Sequence, residues 1–462
     1  MSSVEQLHNE ALLRYNDGQR SEAIALWRAA LAQSPGDCEV LVCLGSALKE
    51  DGELEAAAAC YSEALAQHPE LADVHYNLGN IRQSQGQPGA AAACYQQAVK
   101  VRPDFAFAWY NLGNVCRDLG RLQDAVESYK RAIVNAPGHA PSYNNLGNAL
   151  KHLGELEVAR QCYQAALDAD PEYREAAYNM GNLCYEQGEL EAALPWFRRA
   201  GIRDSAARVL YCLYKCGQLT AFREQRDALL TTGRHRSPQI AALLAHHAMN
   251  FGDSNDYRFC PQPFDFVYQE SLPELCGETP LRSALLADID AAGIEERTQS
   301  RLHHGVQSAG HLFQREEDSF RALAALVRDH FKRYRERFAD ADCELISAFP
   351  PALDFESAWY IRMRRGGHLD AHIHEGGWVS GVLYLKLPER GESGQEGCFE
   401  LGLHGDDYPL QPGVSPPAQV VEIREGDIVL FPANLFHRTL PFDSDAERIC
   451  IAFDLQPAAG VS

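Results

Sequence analysis

The sequence predicts an α+β multidomain chain: an N-terminal all-α solenoid of helix pairs, then a C-terminal double-stranded β-helix, or jelly roll, with helices leading into it. Three observations carry this. Glycine, alanine, aromatic and proline columns recur every 34 residues through the first two hundred positions. Beyond Pro350 the apolar spacing changes from helical to strand-like. His372, His374, His437 and Arg448 then gather the chemistry-bearing residues into the last quarter. At 462 residues the chain exceeds one ordinary domain and can bury a large core.

The repeat comes first. Gly45, Gly79, Gly113, Gly147 and Gly181 keep the 34-residue step, as do Gly18, Gly52, Gly86, Gly120, Gly154 and Gly188. Alanine columns begin at Ala23 and Ala30, an aromatic column runs Trp27, Tyr61, Tyr95, Tyr129, Tyr163 and Phe197, and prolines stand at Pro35, Pro69, Pro103, Pro137 and Pro171. Small residues at Gly79 and Ala91 let two antiparallel helices approach, Tyr95 fills space toward the neighbour, Gly86 makes the turn and Pro103 ends the second helix. The pattern resembles the tetratricopeptide repeat family, with six units over about residues 4 to 207. The first unit has Ala11 where the others have glycine, as an end-capping unit does.

Two polar columns accompany the repeat. Asn77, Asn111, Asn145 and Asn179 form one ladder, and Asn80, Asn114, Asn148 and Asn182 another three residues on, so both share one helix face. Stacked repeats line those faces along the concave surface, where an amide can donate to and accept from a peptide backbone. In this the array resembles the repeat region of O-linked N-acetylglucosamine transferases, whose asparagine ladders hold extended polypeptides; their sugar transfer is not implied, because the C-terminal half differs. The alternative is that the asparagines satisfy inter-repeat groups or face water.

Bulk properties exclude some classes. The net charge of −22, with no Lys/Arg-rich run, argues against a nucleic-acid partner. The start Met-Ser-Ser-Val-Glu-Gln-Leu lacks a basic region followed by an apolar run, and no stretch approaches ~18 apolar residues, so no membrane association and a cytoplasmic location are expected. Of fourteen cysteines, Cys60, Cys94 and Cys162 recur at one repeat position, which reads as reduced core thiols; Cys212 and Cys216 are a weak zinc signal.

After Ala200 the period breaks. The expected organisation is repeats over 1–207, degenerate capping helices and a linker over 208–262, a helical lead-in over 263–350 and the jelly roll over 351–462. Leu281 to Ala292 and Ser319 to Phe338 have helical spacing. Strands are expected at Ser357 to Met363, Trp378 to Leu387, Cys398 to Leu403, Val420 to Ile423, Asp427 to Phe431 and Arg448 to Leu455.

Two histidines one residue apart on a strand point to one face, and a third from a later strand can close a facial ligand set around a metal ion. His372-Ile-His374-Glu375-Gly376-Gly377-Trp378-Val379-Ser380-Gly381-Val382-Leu383-Tyr384, the strand ending in His437 and the strand opening at Arg448 together resemble the 2-oxoglutarate and iron(II)-dependent oxygenase superfamily over about residues 355 to 456. The resemblance implies Fe(II) held by His372, His374 and His437, with 2-oxoglutarate and dioxygen as co-substrates. It further implies that Arg448 and Tyr384 bind the distal carboxylate of 2-oxoglutarate. The superfamily usually employs His-x-Asp/Glu, and His368-Leu369-Asp370 is a literal instance, so His368 and Asp370 stand as alternative ligands. Glu375 adjoins His374, but strand neighbours face opposite sides.

Joined, the halves predict a dioxygenase that hydroxylates a side chain of a protein or peptide gripped by the repeats, releasing succinate and carbon dioxide. A small-molecule hydroxylase using its repeats for assembly, or a repeat scaffold with a decayed oxygenase domain, are the alternatives.

Overall fold

The computed structural model describes residues 3–232, 236–291, 294–298, 300–349, 352–374, 376–391, 394–405 and 408–458. Glu375 and Ala292 lie outside them. The chain divides into two compact units, Met1–Ala206 and Ala207–Ser462.

The first unit follows from its two glycine columns. A Cβ at Gly113 would stand 2.6 Å from Cε1 of Tyr129, so glycine alone lets the ring lie against the first helix; Tyr95 on Gly79 and Tyr163 on Gly147 repeat the arrangement. The aromatic column thus packs first on the glycine of its own repeat, not only toward the neighbour. Gly120 sits in the left-handed region at φ +73. Its N–H donates to the Arg117 carbonyl at 2.9 Å, and that of Arg121 donates to the Cys116 carbonyl at 2.8 Å, a Schellman ending that satisfies the last carbonyls of the helix. Six helix pairs result, from Val4–Asn16 with Arg20–Gln33 to Arg174–Glu186 with Leu190–Ala200.

Gly113→Ala tests this packing. Crowding the Tyr129 ring costs about 1–3 kcal/mol, offset by up to about 1 kcal/mol of helix propensity. The expected result is a lower denaturation midpoint, and an unchanged one would contradict the ring-on-glycine account.

The second unit is built on ten strands: β1 (Tyr268–Ser271), β2 (Glu296–Arg297), β3 (Leu302–Ser308), β4 (Leu353–His372), β5 (Val379–Lys386), β6 (Phe399–Gly402), β7 (Ala418–Val421), β8 (Asp427–Pro432), β9 (Phe436–Thr439) and β10 (Arg448–Pro457). They form one antiparallel sheet ordered β1-β8-β5-β10-β4-β9-β6-β7, with β3 added to β4 and β2 to β3. It folds into a jelly-roll-like half-barrel. β4 serves both sides, because Leu353 to Met363 pairs with β10 while its far end pairs with β9. Ile361, Met363, Val382, Tyr384, Phe399, Phe431, Cys450 and Ala452 fill the interior. Helices Pro280–Ala291 and Asp318–Arg337 come before β4, close to expectation.

Residues 208–262, which the broken period marks as capping helices and linker, lie in the second unit. Helix Pro238–Phe251 is tied there by buried polar side chains. Asn250 donates to the Pro409 carbonyl and accepts from the Gln411 N–H, both at 2.8 Å. His246 meets the Tyr214 hydroxyl at 2.8 Å and His404 at 3.1 Å. All fourteen cysteines are thiols outside any disulfide; Cys162 is buried, whereas Cys60 and Cys94 are half-buried.

Burial, with His404 and His247 nearby, pushes His246 down to about 3. Its folded value is thus below its unfolded one, so neutral His246 carries no penalty above pH about 6.5, and the unit loses stability as pH falls from there toward 3. His246→Gln is expected to flatten the pH dependence of the melting temperature in that window. An unchanged profile would show that His246 is not buried neutral.

Candidate metal centre

The centre forms where β4 meets β9. His372 and His437 are direct cross-strand partners, and His374 lies just past the end of β4. One ligand atom from each of the three histidines falls within 4.8 Å of the others. Ring centroids are 4.3 Å apart for His372 and His437, 4.7 Å for His374 and His437, and 5.1 Å for His372 and His374.

Hydrogen bonds on the far side of each ring decide what faces inward. Nδ1 of His372 lies 2.8 Å from the Asp370 carbonyl oxygen, and Nδ1 of His437 lies 3.4 Å from that of Leu435. Nδ1 of His374 lies 2.8 Å from Oδ1 of Asp454. These oxygens accept, so each Nδ1 carries the proton, and a neutral ring then presents an Nε2 lone pair. Burial, reinforced by His374, pushes His372 down to about 3. Burial also holds His437 well below its ordinary value, which keeps it neutral. The Nε2 atoms of His372 and His374 stand 3.2 Å apart. Two nitrogens each about 2.1 Å from one ion at a right angle stand about 3 Å apart. The donor set therefore fits a divalent transition ion, which the three imidazoles would hold.

The same cavity, of about 250 Å³, is lined by these histidines, Arg448, Thr439, Ser380, Trp359, Phe399 and Phe431. Arg448 opens β10, is 1% exposed and donates through Nε to the Gly397 carbonyl at 3.2 Å. Among the described residues no carboxylate pairs with it. A buried guanidinium without a counter-ion is costly, so the site fits an anionic ligand. Tyr384 lies behind it, its ring 5.2 Å from the guanidinium carbon. The Tyr384 hydroxyl is buried without a partner among the described residues. Burial raises it well above its usual range, so it remains a donor. Trp359 stacks edge-on to His374 at 5.2 Å, and its Nε1 has no partner among the described residues.

His368 and Asp370 do not join this centre. A bulge between Leu369 and His372 shifts the β4 register, which reverses the faces of the strand. Leu369 therefore points into the barrel and the literal His-x-Asp points out. There His368 stacks on His303, its cross-strand partner, at 4.3 Å, and Asp370 reaches His303 Nε2 at 2.9 Å. Sequence patterns overlook Asp454, Ser380 and Trp359. The available signal is parity, since Asp454 shares a β10 face with Arg448, Cys450 and Ala452. Burial alone would raise the Asp454 carboxyl, but His374 and the hydroxyls of Ser380 and Ser357 hold it below its ordinary value.

The ladder asparagines are half-buried on the first helices of the repeats, which touch from one repeat to the next over the second to the sixth. Asn111 donates to Oδ1 of Asn80 at 3.1 Å and to the Tyr76 hydroxyl at 3.3 Å, and Asn145 repeats this with Asn114 and Tyr110. Asn80, Asn114 and Asn148 accept from Tyr95, Tyr129 and Tyr163. Asn179 donates to Asn144, and Asn77 accepts from Lys49. Asn182 is half-buried in line with them.

Fold and site together define a helical-repeat protein with a jelly-roll-like domain that buries a triad of histidines able to hold a metal ion. Residues 357–454 match the family described as "Putative 2OG-Fe(II) oxygenase", and residues 45–86, 76–140 and 144–207 match tetratricopeptide repeat families. The chain thus carries tetratricopeptide repeats followed by a C-terminal domain of that oxygenase family. No curated protein matches it. Solved structures similar to part of the chain include MamA of Desulfovibrio magneticus RS-1, with 21% identity over 35% of this chain and 92% of that one and a TM-score of 0.34. YrrB, a TPR protein with an unusual peptide-binding site, has 24% identity, coverages of 38% and 90% and a TM-score of 0.35. The pilF protein of Pseudomonas aeruginosa has 19% identity, coverages of 42% and 89% and a TM-score of 0.37. Among the described residues no helix is long and apolar enough to cross a membrane.

Proposed function

We propose that this chain is an Fe(II)- and 2-oxoglutarate-dependent dioxygenase that hydroxylates a side chain of a protein or peptide held by its repeats. One observation carries the reading: three Nε2 lone pairs converge in a buried cavity whose only buried cation, among the described lining residues, is the unpaired Arg448. When bound, iron and 2-oxoglutarate supply oxidation of a carbon–hydrogen bond by dioxygen. His372, His374 and His437 would hold the ion. Arg448 would offer a planar fork to the distal carboxylate, and the Tyr384 hydroxyl would donate a hydrogen bond to the same group. Phe399, Phe431 and the apolar wall exclude water, so the charges meet in a low-dielectric space. Domain limits of 1–207, 208–262, 263–350 and 351–462 accompany this reading.

The asparagine ladders support the polypeptide part, because they lie half-buried along one face of touching helices. Their bonds to one another favour the second reading, in which the repeats serve assembly and the substrate is a small molecule. A double variant, Asn111→Ala with Asn145→Ala, separates the two when compared with Tyr76→Phe, which loses an inter-repeat hydroxyl but keeps the amides. Each lost bond costs about 1 kcal/mol of array stability, so both variants melt earlier. The proposal expects the alanine pair alone to raise KM for a protein substrate while substrate-free succinate formation stays unchanged. Equal KM in all three forms would leave assembly as the role of the repeats.

A further inference from the structure

Among the described residues, the carboxylate that bonds a histidine of the candidate centre lies outside every ligand pattern in the sequence. Asp454 is 4% exposed and each of its oxygens is engaged. Oδ1 accepts from Nδ1 of His374 at 2.8 Å and from Ser380 Oγ at 2.7 Å, while Oδ2 accepts from Ser357 Oγ at 3.0 Å. Both serines are its direct cross-strand partners, Ser380 on β5 and Ser357 on β4. The Cβ that Gly377 lacks would stand 2.8 Å from Cβ of Asp454, so the turn after His374 closes over the same group. A carboxylate buried for packing alone needs no such socket, and His374 is the one partner here that also faces the converging lone pairs.

A facial set of two histidines and a carboxylate cancels part of the charge of the ferrous ion, whereas three neutral imidazoles cancel none. A carboxylate that accepts from the outer nitrogen of a ligating histidine fixes its tautomer, aims the ring and makes the inner nitrogen a better donor. We propose that Asp454 is a positioning residue that commits His374 to the metal and supplies, one ring further out, the negative charge that a directly ligating carboxylate supplies elsewhere in the superfamily. The proposal rests on the iron-site reading above. It explains how His-x-His can replace His-x-Asp without leaving the ion in an all-neutral shell.

The test is the affinity of the full chain for Co(II), and for Fe(II) without oxygen, measured by chelator competition alongside circular dichroism. Asp454→Asn keeps an acceptor for His374 and Ser380 and removes the charge, while the Ser357 hydroxyl turns from donor to acceptor. It is expected to weaken binding about 10- to 100-fold with the fold unchanged. Adding His374→Asp to Asp454→Asn returns the charge to the first shell and is expected to recover most of that loss, which a merely structural role for Asp454 would not produce. If the wild type binds one ion, His374→Ala loses it and Asp454→Asn binds as tightly as wild type, the proposal is overturned with the iron site intact. If Asp454→Asn does not fold, Ser380→Ala, expected to weaken binding several-fold, takes its place, and wild-type affinity there overturns the proposal. A wild type that binds no ion removes the site reading, and this proposal with it.

Discussion

Replacing His437 with alanine is expected to abolish detectable Fe(II) binding and all succinate formation. His437 is 6% exposed and paired across the sheet with His372, so no water or alternative side chain takes its place without rebuilding β9. Loss of an outer partner of a ligand typically costs 10- to 100-fold in affinity, and loss of the ligand itself should exceed about 100-fold. The apo protein should meanwhile become no less stable in acid, because a buried neutral histidine that resists protonation has been removed. Retained binding of one ferrous ion per chain would show that the three histidines are a buried aromatic cluster and not a ligand set.

The second large effect concerns Arg448. Arg448→Met is expected to lower affinity for 2-oxoglutarate by about 100-fold or more, since two charge-assisted hydrogen bonds contribute about 1.5–3 kcal/mol each and about 1.4 kcal/mol is tenfold. Without ligand, the same change is expected to leave stability equal or raised, because an unpaired buried charge gives way to an apolar side chain of similar length. The two signs together identify a guanidinium kept for a ligand. Calorimetric titration with 2-oxoglutarate and a thermal melt measure both, and a large drop in apo stability with unchanged affinity would make Arg448 a structural residue bonded to Gly397.

Much of this was legible in the sequence, for reasons that differ by region. The repeats are legible because each is one supersecondary unit that must meet an identical neighbour, so Gly113, Gly120 and Tyr129 recur wherever their packing problem recurs. The jelly-roll strands β5, β8 and β10 are legible as short, nearly continuous apolar runs, because almost every position in them is buried. β3 is not, because Leu302-His303-His304-Gly305 carries no alternation and His304 turns into the left-handed region at φ +51. The choice between His374 and Asp370 was illegible for a related reason. Parity assigns Asp370 and His372 to one face, and only the bulge after Leu369 separates them. Asp454 was hidden by distance, since its partners Ser357, His374 and Ser380 come from two other strands and the turn between them. The limits of the second unit were hidden too, because the buried bonds of His246 and Asn250 join positions about 160 residues apart that no local pattern connects.

The most direct test is a crystal structure of the full chain grown without oxygen in Fe(II) and 2-oxoglutarate. The account predicts one ion bound to Nε2 of His372, His374 and His437 at about 2.1 Å, with the distal carboxylate of the keto acid against Arg448 and Tyr384. An ion held instead by His303, His368 and Asp370, with the barrel cavity empty, would contradict it.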